Sequence, residues 1–214
     1  MAILTPLQER TLQAFFGVPE CRQHFYLTGG TALAAFYLEH RISDDLDLFT
    51  HAVELDSIER VIEDAWKGAG LTVKRERAST TFRRYRIDDE LQVDVVRDVD
   101  FRIGAPELRG EFMVDHPKNI AVNKVTAIYG RLEPKDYVDL YFLHGYLNFK
   151  ILELLEWGRQ KDGGLENFQW AKIIAAMDAI TVLPTLLKPV SLSELKTFFH
   201  SLREQILDAL RPSN

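Results

Sequence analysis

Three aspartates are the residues in this sequence best suited to chemistry. Asp45 and Asp47 stand two positions apart in a short run that alternates acidic and apolar residues. Because side chains alternate along a strand, both carboxylates face one side while the leucines between and after them face the core. Asp94 interrupts the otherwise apolar stretch 91–96 and can converge on them from another strand. Clustered carboxylates repel one another, and a hard ion such as Mg²⁺ relieves that repulsion. We therefore predict that Asp45, Asp47 and Asp94 bind Mg²⁺, with two ions able to align an attacking hydroxyl and a leaving pyrophosphate.

A glycine turn precedes these acids and suits a phosphate ligand. Gly29 and Gly30 lie between a short apolar strand and a helix that is predicted to begin near Thr31. Without Cβ atoms, the two glycines let backbone N–H groups approach a triphosphate at the positive end of a helix. We predict that Gly29, Gly30 and Thr31 bind the nucleotide. No Gly-Lys-Ser/Thr follows, which excludes a P-loop. A plain turn, with the aspartates on a solvated strand edge, is the structural alternative.

The elements that must position these residues change character along the chain. Apolar periodicity predicts helices over 6–16 and 56–69, the latter with Asp56 as its N-cap. Strands are predicted over 25–27, 45–49, 71–77, 81–87 and 91–96, the last two as a hairpin, and helices over 118–129, 134–143, 150–159, 165–180 and 192–210. The expected fold class is α/β (α+β), with a mixed, mostly antiparallel sheet and flanking helices. A core over residues 1–145 and a helical region over 146–214 are expected.

Composition narrows the class of protein. The 214 residues are 46% hydrophobic and 27% charged, which is typical of a globular chain and excludes intrinsic disorder. A single cysteine, the lack of a signal-like start and the lack of a long apolar run lead us to expect a cytoplasmic protein without membrane spans. The net charge of −6 disfavours a protein that coats nucleic acid.

The charge is nevertheless uneven. The window 71–87 carries +5, which indicates a local anion site for triphosphate or an RNA backbone. A solvated, charged sheet face is the competing interpretation.

Several segments together resemble a known family. They are Leu27-Thr28-Gly29-Gly30-Thr31-Ala32-Leu33-Ala34, His40 to Phe49 with its Ser43-Asp44-Asp45-Leu46-Asp47, Leu91 to Val96, Asn123-Lys124-Val125-Thr126-Ala127 through Arg131, and Lys135-Asp136-Tyr137-Val138-Asp139-Leu140. In this order they resemble the AbiEii/AbiGii-type nucleotidyltransferases, relatives of the bacterial MenT toxins within the DNA polymerase β-like superfamily. The resemblance covers about Phe25 to Leu143.

The resemblance implies roles for individual residues. Asp45 and Asp47 would be metal ligands, and Asp94 would be the third carboxylate of the superfamily. Lys124 would contact the nucleotide phosphates, and Asp136 would be a further functional acid. The implied reaction moves a nucleoside monophosphate from an NTP to an acceptor hydroxyl, such as the 3′ end of tRNA, in a toxin partnered by an antitoxin.

Other interpretations stay open at the level of the sequence. The nucleotide could go to a small molecule or a protein, or the fold could serve as a non-catalytic nucleotide-binding or interaction module. Lys124 could be an exposed lysine, and Asp136 and Asp139 could be first-turn acids of the helix after Pro134, the interpretation preferred for Asp139. His40 is expected to pack or cap at a helix end, and the sequence does not decide whether Arg131 binds an acid or a phosphate.

Overall fold

The structure, a computed structural model, describes residues 3–211, and their contacts divide them into two units. The sheet unit comprises the described residues up to 37 together with 43–100 and 104–116. The helical unit comprises 38–42, 101–103 and the described residues from 117 onward. The division expected near residue 145 remains a prediction.

A seven-stranded sheet is formed by the described part of the sheet unit, in the order β3-β4-β5-β2-β1-β7-β6. The strands are β1 (Tyr26–Thr28), β2 (Asp45–Thr50), β3 (Val73–Ala78), β4 (Phe82–Ile87), β5 (Leu91–Arg97), β6 (Glu107–Arg109) and β7 (Phe112–Val114). β2 pairs with β5, and β1 with β7, in parallel, whereas the other neighbours are antiparallel. The predicted fold class and the predicted β4–β5 hairpin are confirmed.

Two of the strands are not predicted from the sequence. β6 and β7 have three residues each and lie in a stretch where no element is predicted. A run this short holds too few positions for an alternating pattern to stand out from a loop.

One face of the sheet carries the core. Leu46 and Leu48 of β2 are fully buried, as are Val93 of β5 and Tyr85 of β4. The Trp66 ring meets Tyr85 edge to face at 5.2 Å. Burial of each such side chain contributes on the order of 2 kcal/mol, so the side chains at alternate positions are fixed on the opposite face.

Trp66 belongs to helix α4 (Leu55–Gly68), which follows α1 (Pro6–Phe16) and α2 (Pro19–His24). Its predicted N-cap is wrong, because Glu54 holds the capping position and makes no side-chain cap bond. Asp56 lies in the first turn and accepts a hydrogen bond from Arg83 instead.

The helix predicted to begin near Thr31 begins at Gly29 and therefore includes both glycines. α3 (Gly29–Leu33) widens into a π-helix over Ala34–Leu38, and Glu39 then takes a left-handed conformation with φ of 49°. His40 therefore lies beyond the helix rather than at its last turn.

The helical unit contains α5 (Pro117–Gly130), α6 (Pro134–Leu147), α7 (Ile151–Lys161), α8 (Asn167–Ile174) and α9 (Leu192–Leu210). α9 matches its predicted bounds because Ser191 and Glu194 form a capping box that fixes its start. The helix predicted over 165–180 is instead α8 followed by a 3₁₀ turn over Ala175–Ala179. Segment 38–42 joins this unit through backbone bonds to residues 185–188. Among the described helices, none is long and apolar enough to span a membrane.

Candidate active site

The predicted acidic cluster is built by the pairing of β2 with β5. Asp45 and Asp47 alternate with buried leucines and are half-buried on the opposite face of the sheet. Asp47 lies directly beside Asp94 in the parallel register. Paired positions on adjacent strands share a face, so the structure brings the three aspartates onto one surface.

Asp45 is held to the glycine turn through its main chain. The Thr31 hydroxyl donates to the Asp45 carbonyl oxygen at 2.5 Å, and the Ser43 hydroxyl lies 3.3 Å from Asp45 Oδ1. Thr31 is buried, so its hydroxyl positions the start of β2. The predicted role of Thr31 in nucleotide binding stays a prediction.

Gly29 is required by two independent constraints. Its φ of 69° is a conformation that other residues rarely adopt. A Cβ at this position would also overlap the Asp47 carboxylate. The turn therefore brings backbone and carboxylate into an approach that only glycine permits.

Asp94 has a partner that the sequence analysis missed. Arg84, its cross-strand neighbour on β4, donates from Nε and from one terminal nitrogen to the two Asp94 oxygens, each at 2.7 Å. The hydrogen bonds that Arg84 donates to Asp94 raise the pKa of Arg84 above its ordinary value. The contact follows from the register of the hairpin, which places Arg84 opposite Asp94.

The donor set suits a hard divalent cation. Asp45 and Asp47 offer carboxylate oxygens, and Mg²⁺ is commonly held by one or two carboxylates together with substrate phosphates. Asp94 already accepts hydrogen bonds from Arg84. Within residues 3–211, no group of three or more His, Cys, Asp or Glu side chains is arranged to hold a metal ion. The two carboxylates of β2 thus fit Mg²⁺ in the manner that relies on the substrate for the remaining ligands.

The basic window separates by sheet face. Arg75 and Arg83 lie on the α4 side and form ion pairs there with Glu59 and, for Arg83, also with Asp56. Arg84 and Arg86 lie on the aspartate side, where they pair with Asp94 and Glu76. Four of the six basic residues in this window therefore form ion pairs within the sheet unit, and Arg75 and Arg83 stabilise the packing of α4.

Lys124 and Asp136 meet in the helical unit, where both are buried. Lys124 Nζ lies 2.8 Å from Asp136 Oδ1 and 2.6 Å from Asp139 Oδ2. Arg131, which the sequence left undecided, donates to Asp136 Oδ2 at 2.9 Å. The interpretation of Lys124 as an exposed lysine is wrong, because two carboxylates hold its amine in the interior.

Asp139 is the centre of this network rather than a first-turn acid. It accepts two hydrogen bonds from Arg41, at 2.6 and 2.8 Å, and lies 2.7 Å from His40 Nε2. His40 packs against the Phe142 ring as expected but caps no helix. Burial alone would raise the pKa of Asp139, but the charges of Lys124 and Arg41 outweigh it and hold that pKa well below its usual range. Asp139 is therefore charged and fully compensated.

Comparisons with known proteins bear on the family and the fold of this chain. A family model described as the nucleotidyl transferase AbiEii toxin of a type IV toxin–antitoxin system matches residues 10–207. A candidate nucleotidyltransferase of Helicobacter pylori has a similar structure, with a TM-score of 0.64, 16% sequence identity and 96% of each chain covered. MenT4, a nucleotidyltransferase toxin of Mycobacterium tuberculosis, gives a TM-score of 0.53 at 14% identity, with 94% of this chain and 82% of that chain covered.

The antibiotic-resistance factor ANT(2'')-Ia is also similar, with a TM-score of 0.51, 14% identity and coverage of 72% of this chain and 88% of that one. No curated protein matches the sequence. At these identities the structural likeness concerns the fold, and it confirms the predicted nucleotidyltransferase fold.

The Gly29 turn can be tested by adding one methyl group. Gly29→Ala is expected to lower the free energy of unfolding by about 1–3 kcal/mol, because the left-handed backbone and the contact with Asp47 both resist a Cβ. Gly68→Ala is the matched control, since a Cβ there meets no described atom outside its own helix within 4 Å. Equal stability of the two variants in urea denaturation would contradict this explanation of Gly29.

Asp139→Asn tests the buried network. Removing its charge leaves Arg41 and Lys124 undercompensated in the interior, so we expect a loss of about 3–5 kcal/mol in the free energy of unfolding. Asp178→Asn, which breaks an exposed pair with His200, is expected to cost less than about 1 kcal/mol. Chemical denaturation of both variants measures the difference, and similar losses would show that the network is not the support we describe.

The same network predicts acid sensitivity. Burial lowers the pKa of His40 below its ordinary value of 6.5 despite the opposing effect of Asp139. The unfolded chain therefore binds a proton at a higher pH than the folded chain, and the free energy of unfolding falls as the pH drops through about 6.5. Asp139, whose pKa is depressed, adds a further loss below about pH 4. Denaturation curves at pH 7 and pH 5 should show a smaller pH dependence for His40→Gln than for the unmodified protein.

Proposed function

This chain belongs to the AbiEii family of nucleotidyltransferase toxins from type IV toxin–antitoxin systems, and from that premise we propose how and on what it acts. It transfers a nucleoside monophosphate from an NTP to the 3′ hydroxyl of an RNA, with tRNA as the expected acceptor, in a Mg²⁺-dependent reaction that releases pyrophosphate. A cognate antitoxin protein is its expected partner.

One observation carries the proposal. Asp45 and Asp47 lie on one face of β2, with Asp94 beside Asp47 in register and with the Gly29 backbone against the Asp47 carboxylate. A structural pair of acids on a solvated edge would not need a glycine in a left-handed conformation beside it. The arrangement supports a site where phosphate approaches carboxylates through a cation.

Asp45 and Asp47 hold Mg²⁺ in this proposal. Mg²⁺ bound there would neutralise phosphate charge that develops during the transfer. Gly29 and Gly30 carry no Cβ, so we propose that the backbone of this turn approaches the triphosphate beside the Asp47 carboxylate. Asp94 either shares the ion or accepts the proton of the acceptor hydroxyl.

The transfer forms one bond and breaks one bond at the α-phosphorus. The acceptor oxygen forms a bond to the α-phosphorus, and the bond between that phosphorus and the pyrophosphate oxygen breaks. The hydroxyl proton passes to Asp94, or to solvent water where Asp94 shares the ion instead, and pyrophosphate leaves with the electron pair. This division resembles other phosphoryl-type transfers, where positioning and charge stabilisation do most of the work.

Lys124 and Asp136 have coupled roles. An ammonium group has three N–H donors, and Asp136 and Asp139 accept from Lys124 within the described residues. Burial opposes the charged amine, but Asp139 and Asp136 raise its pKa above the ordinary value, so Lys124 stays positively charged. The family resemblance implies that Lys124 contacts nucleotide phosphates, and we propose that Asp136 orients its amine.

Asp47→Asn is the decisive variant for the site. We expect it to abolish transfer while the free energy of unfolding changes by less than about 1 kcal/mol, because the side chain is half-buried on an open face. Asp44→Asn is the matched control, since Asp44 is exposed and lies outside the alternation that aligns Asp45 with Asp47. A large loss of stability in Asp47→Asn would mean that the acid is structural.

The reaction is tested by label transfer from each of the four NTPs. Nucleotides labelled at the α- or the γ-phosphate are incubated with Mg²⁺, with and without total tRNA, and with the Asp45→Asn/Asp47→Asn variant in parallel. Transfer of α-label to tRNA, without γ-label and without activity in the variant, is the expected result. Label on a small molecule or a protein would refute the RNA acceptor, and transfer of γ-label would refute nucleotidyl transfer.

A further inference from the structure

The face of the sheet that carries the aspartates continues onto a basic surface. Opposite Asp94 lies Arg84 on β4, and opposite Arg84 lies Arg77 on β3. The neighbouring row runs from Asp45 through Gln92 and Arg86 to Lys74. We call the β3–β4 part of this surface the basic face, and it consists of Lys74, Arg77, Phe82, Arg84 and Arg86, together with Glu76, which pairs with Arg86.

Charge on the basic face differs from charge on the opposite side of the same strands. Toward α4, Arg75 and Arg83 find acidic partners on that helix. On the basic face, Lys74 and Arg77 are exposed, and neither forms a hydrogen bond or ion pair with another side chain within residues 3–211. Protection of the β3 edge can account for charge on that strand, but it does not account for Arg84 on β4 beside Asp94.

Phe82 adds an aromatic ring to the basic face. It alternates with Arg84 and Arg86 along β4, is only half-buried, and lies opposite Val96. The Arg84 guanidinium carbon is 5.5 Å from the centre of the Phe82 ring. Aromatic and guanidinium planes among basic side chains are the combination on which single-stranded nucleic acids stack their bases.

We propose that the basic face binds the single-stranded 3′ end of the acceptor RNA and directs its terminal hydroxyl toward Asp94. Lys74 and Arg77 contact backbone phosphates, and Phe82 stacks with a base. This assignment rests on the proposed function for the acceptor and adds the surface that receives it. Phosphate contacts position a strand without reading its sequence, so the basic face supplies affinity and direction.

The first test measures binding without turnover. A short single-stranded RNA with a 5′ fluorophore and a free 3′ hydroxyl is titrated with the protein at several salt concentrations, without NTP. For Lys74→Gln/Arg77→Gln we expect weaker binding and a slope of log K against log salt that is smaller by about 1.4, or about 0.7 for each lost phosphate contact. When the salt concentration rises from 50 to 200 mM, the double variant should therefore lose about sevenfold less affinity than the unmodified protein loses. Each single variant should change the slope by about half as much.

Arg60→Gln/Lys67→Gln is the matched control. It removes the same charge from exposed positions on α4, which packs against the other side of the sheet. The control should bind RNA like the unmodified protein, because it changes the net charge but not the basic face. Phe82→Leu should raise the Kd for the single strand by about tenfold and leave the salt slope unchanged. Equal weakening for a blunt RNA duplex would refute stacking by Phe82.

Transfer assays separate this proposal from the proposed function. With tRNA as acceptor, Lys74→Gln/Arg77→Gln should raise the KM for RNA and leave both kcat and the KM for NTP unchanged. Transfer to RNA with the double variant equal to its control would overturn the basic face as the acceptor surface. Binding that depends on the basic face without transfer to RNA would refute the RNA acceptor instead. If the unmodified protein neither binds nor labels RNA, both proposals fail.

Discussion

The parallel pairing of β2 with β5 is the constraint on which the candidate site depends. It places Asp47 beside Asp94 on one face of the sheet, at the spacing of adjacent strands, where two carboxylates repel each other. The core fixes this arrangement, because Leu46 and Leu48 are fully buried and a slip of one residue would expose them. Hydrophobic burial thus holds Asp47 and Asp94 side by side although their carboxylates repel each other. The ion pair of Arg84 with Asp94 offsets part of that repulsion.

In the helical unit, by contrast, several charged side chains are buried and paired with one another. Lys124, Arg41 and Asp139 lie in its interior, and each charge is matched at hydrogen-bond distance. Such a network is costly to assemble, because every ion loses its hydration, and it tolerates no missing partner. The aspartates of β2 are by contrast half-buried. Half-buried carboxylates on one face of a sheet remain accessible to a cation, whereas a network of matched, buried charges is suited to hold its side chains in fixed positions.

The sequence predicts what depends on local pattern and misses what depends on partners. Alternation places Asp45 and Asp47 on one face, and the capping box at Ser191 fixes the start of α9, because both signals lie within a few residues. The pairing of His40 and Arg41 with Asp139 joins residues almost a hundred positions apart, and no local period announces it. The same is true of Arg84, whose partner depends on the register of a hairpin. Asp56 is a residue type that favours the N-cap position, but in the structure it accepts a hydrogen bond from Arg83 of β4 instead.

The route of the chain makes the meeting of acidic and basic strands obligatory. A parallel pair needs a crossover, and here the chain leaves β2 through α4, reaches the sheet edge at β3 and returns through β4 to β5. The hairpin that completes the crossover must therefore flank the strand that carries Asp94. Because arginines alternate along β4, one set stabilises α4 while the other lies on the aspartate face. The alternation of side chains along β4 thus stabilises α4, which the crossover of the parallel pair requires, and places positive charge directly beside the carboxylates.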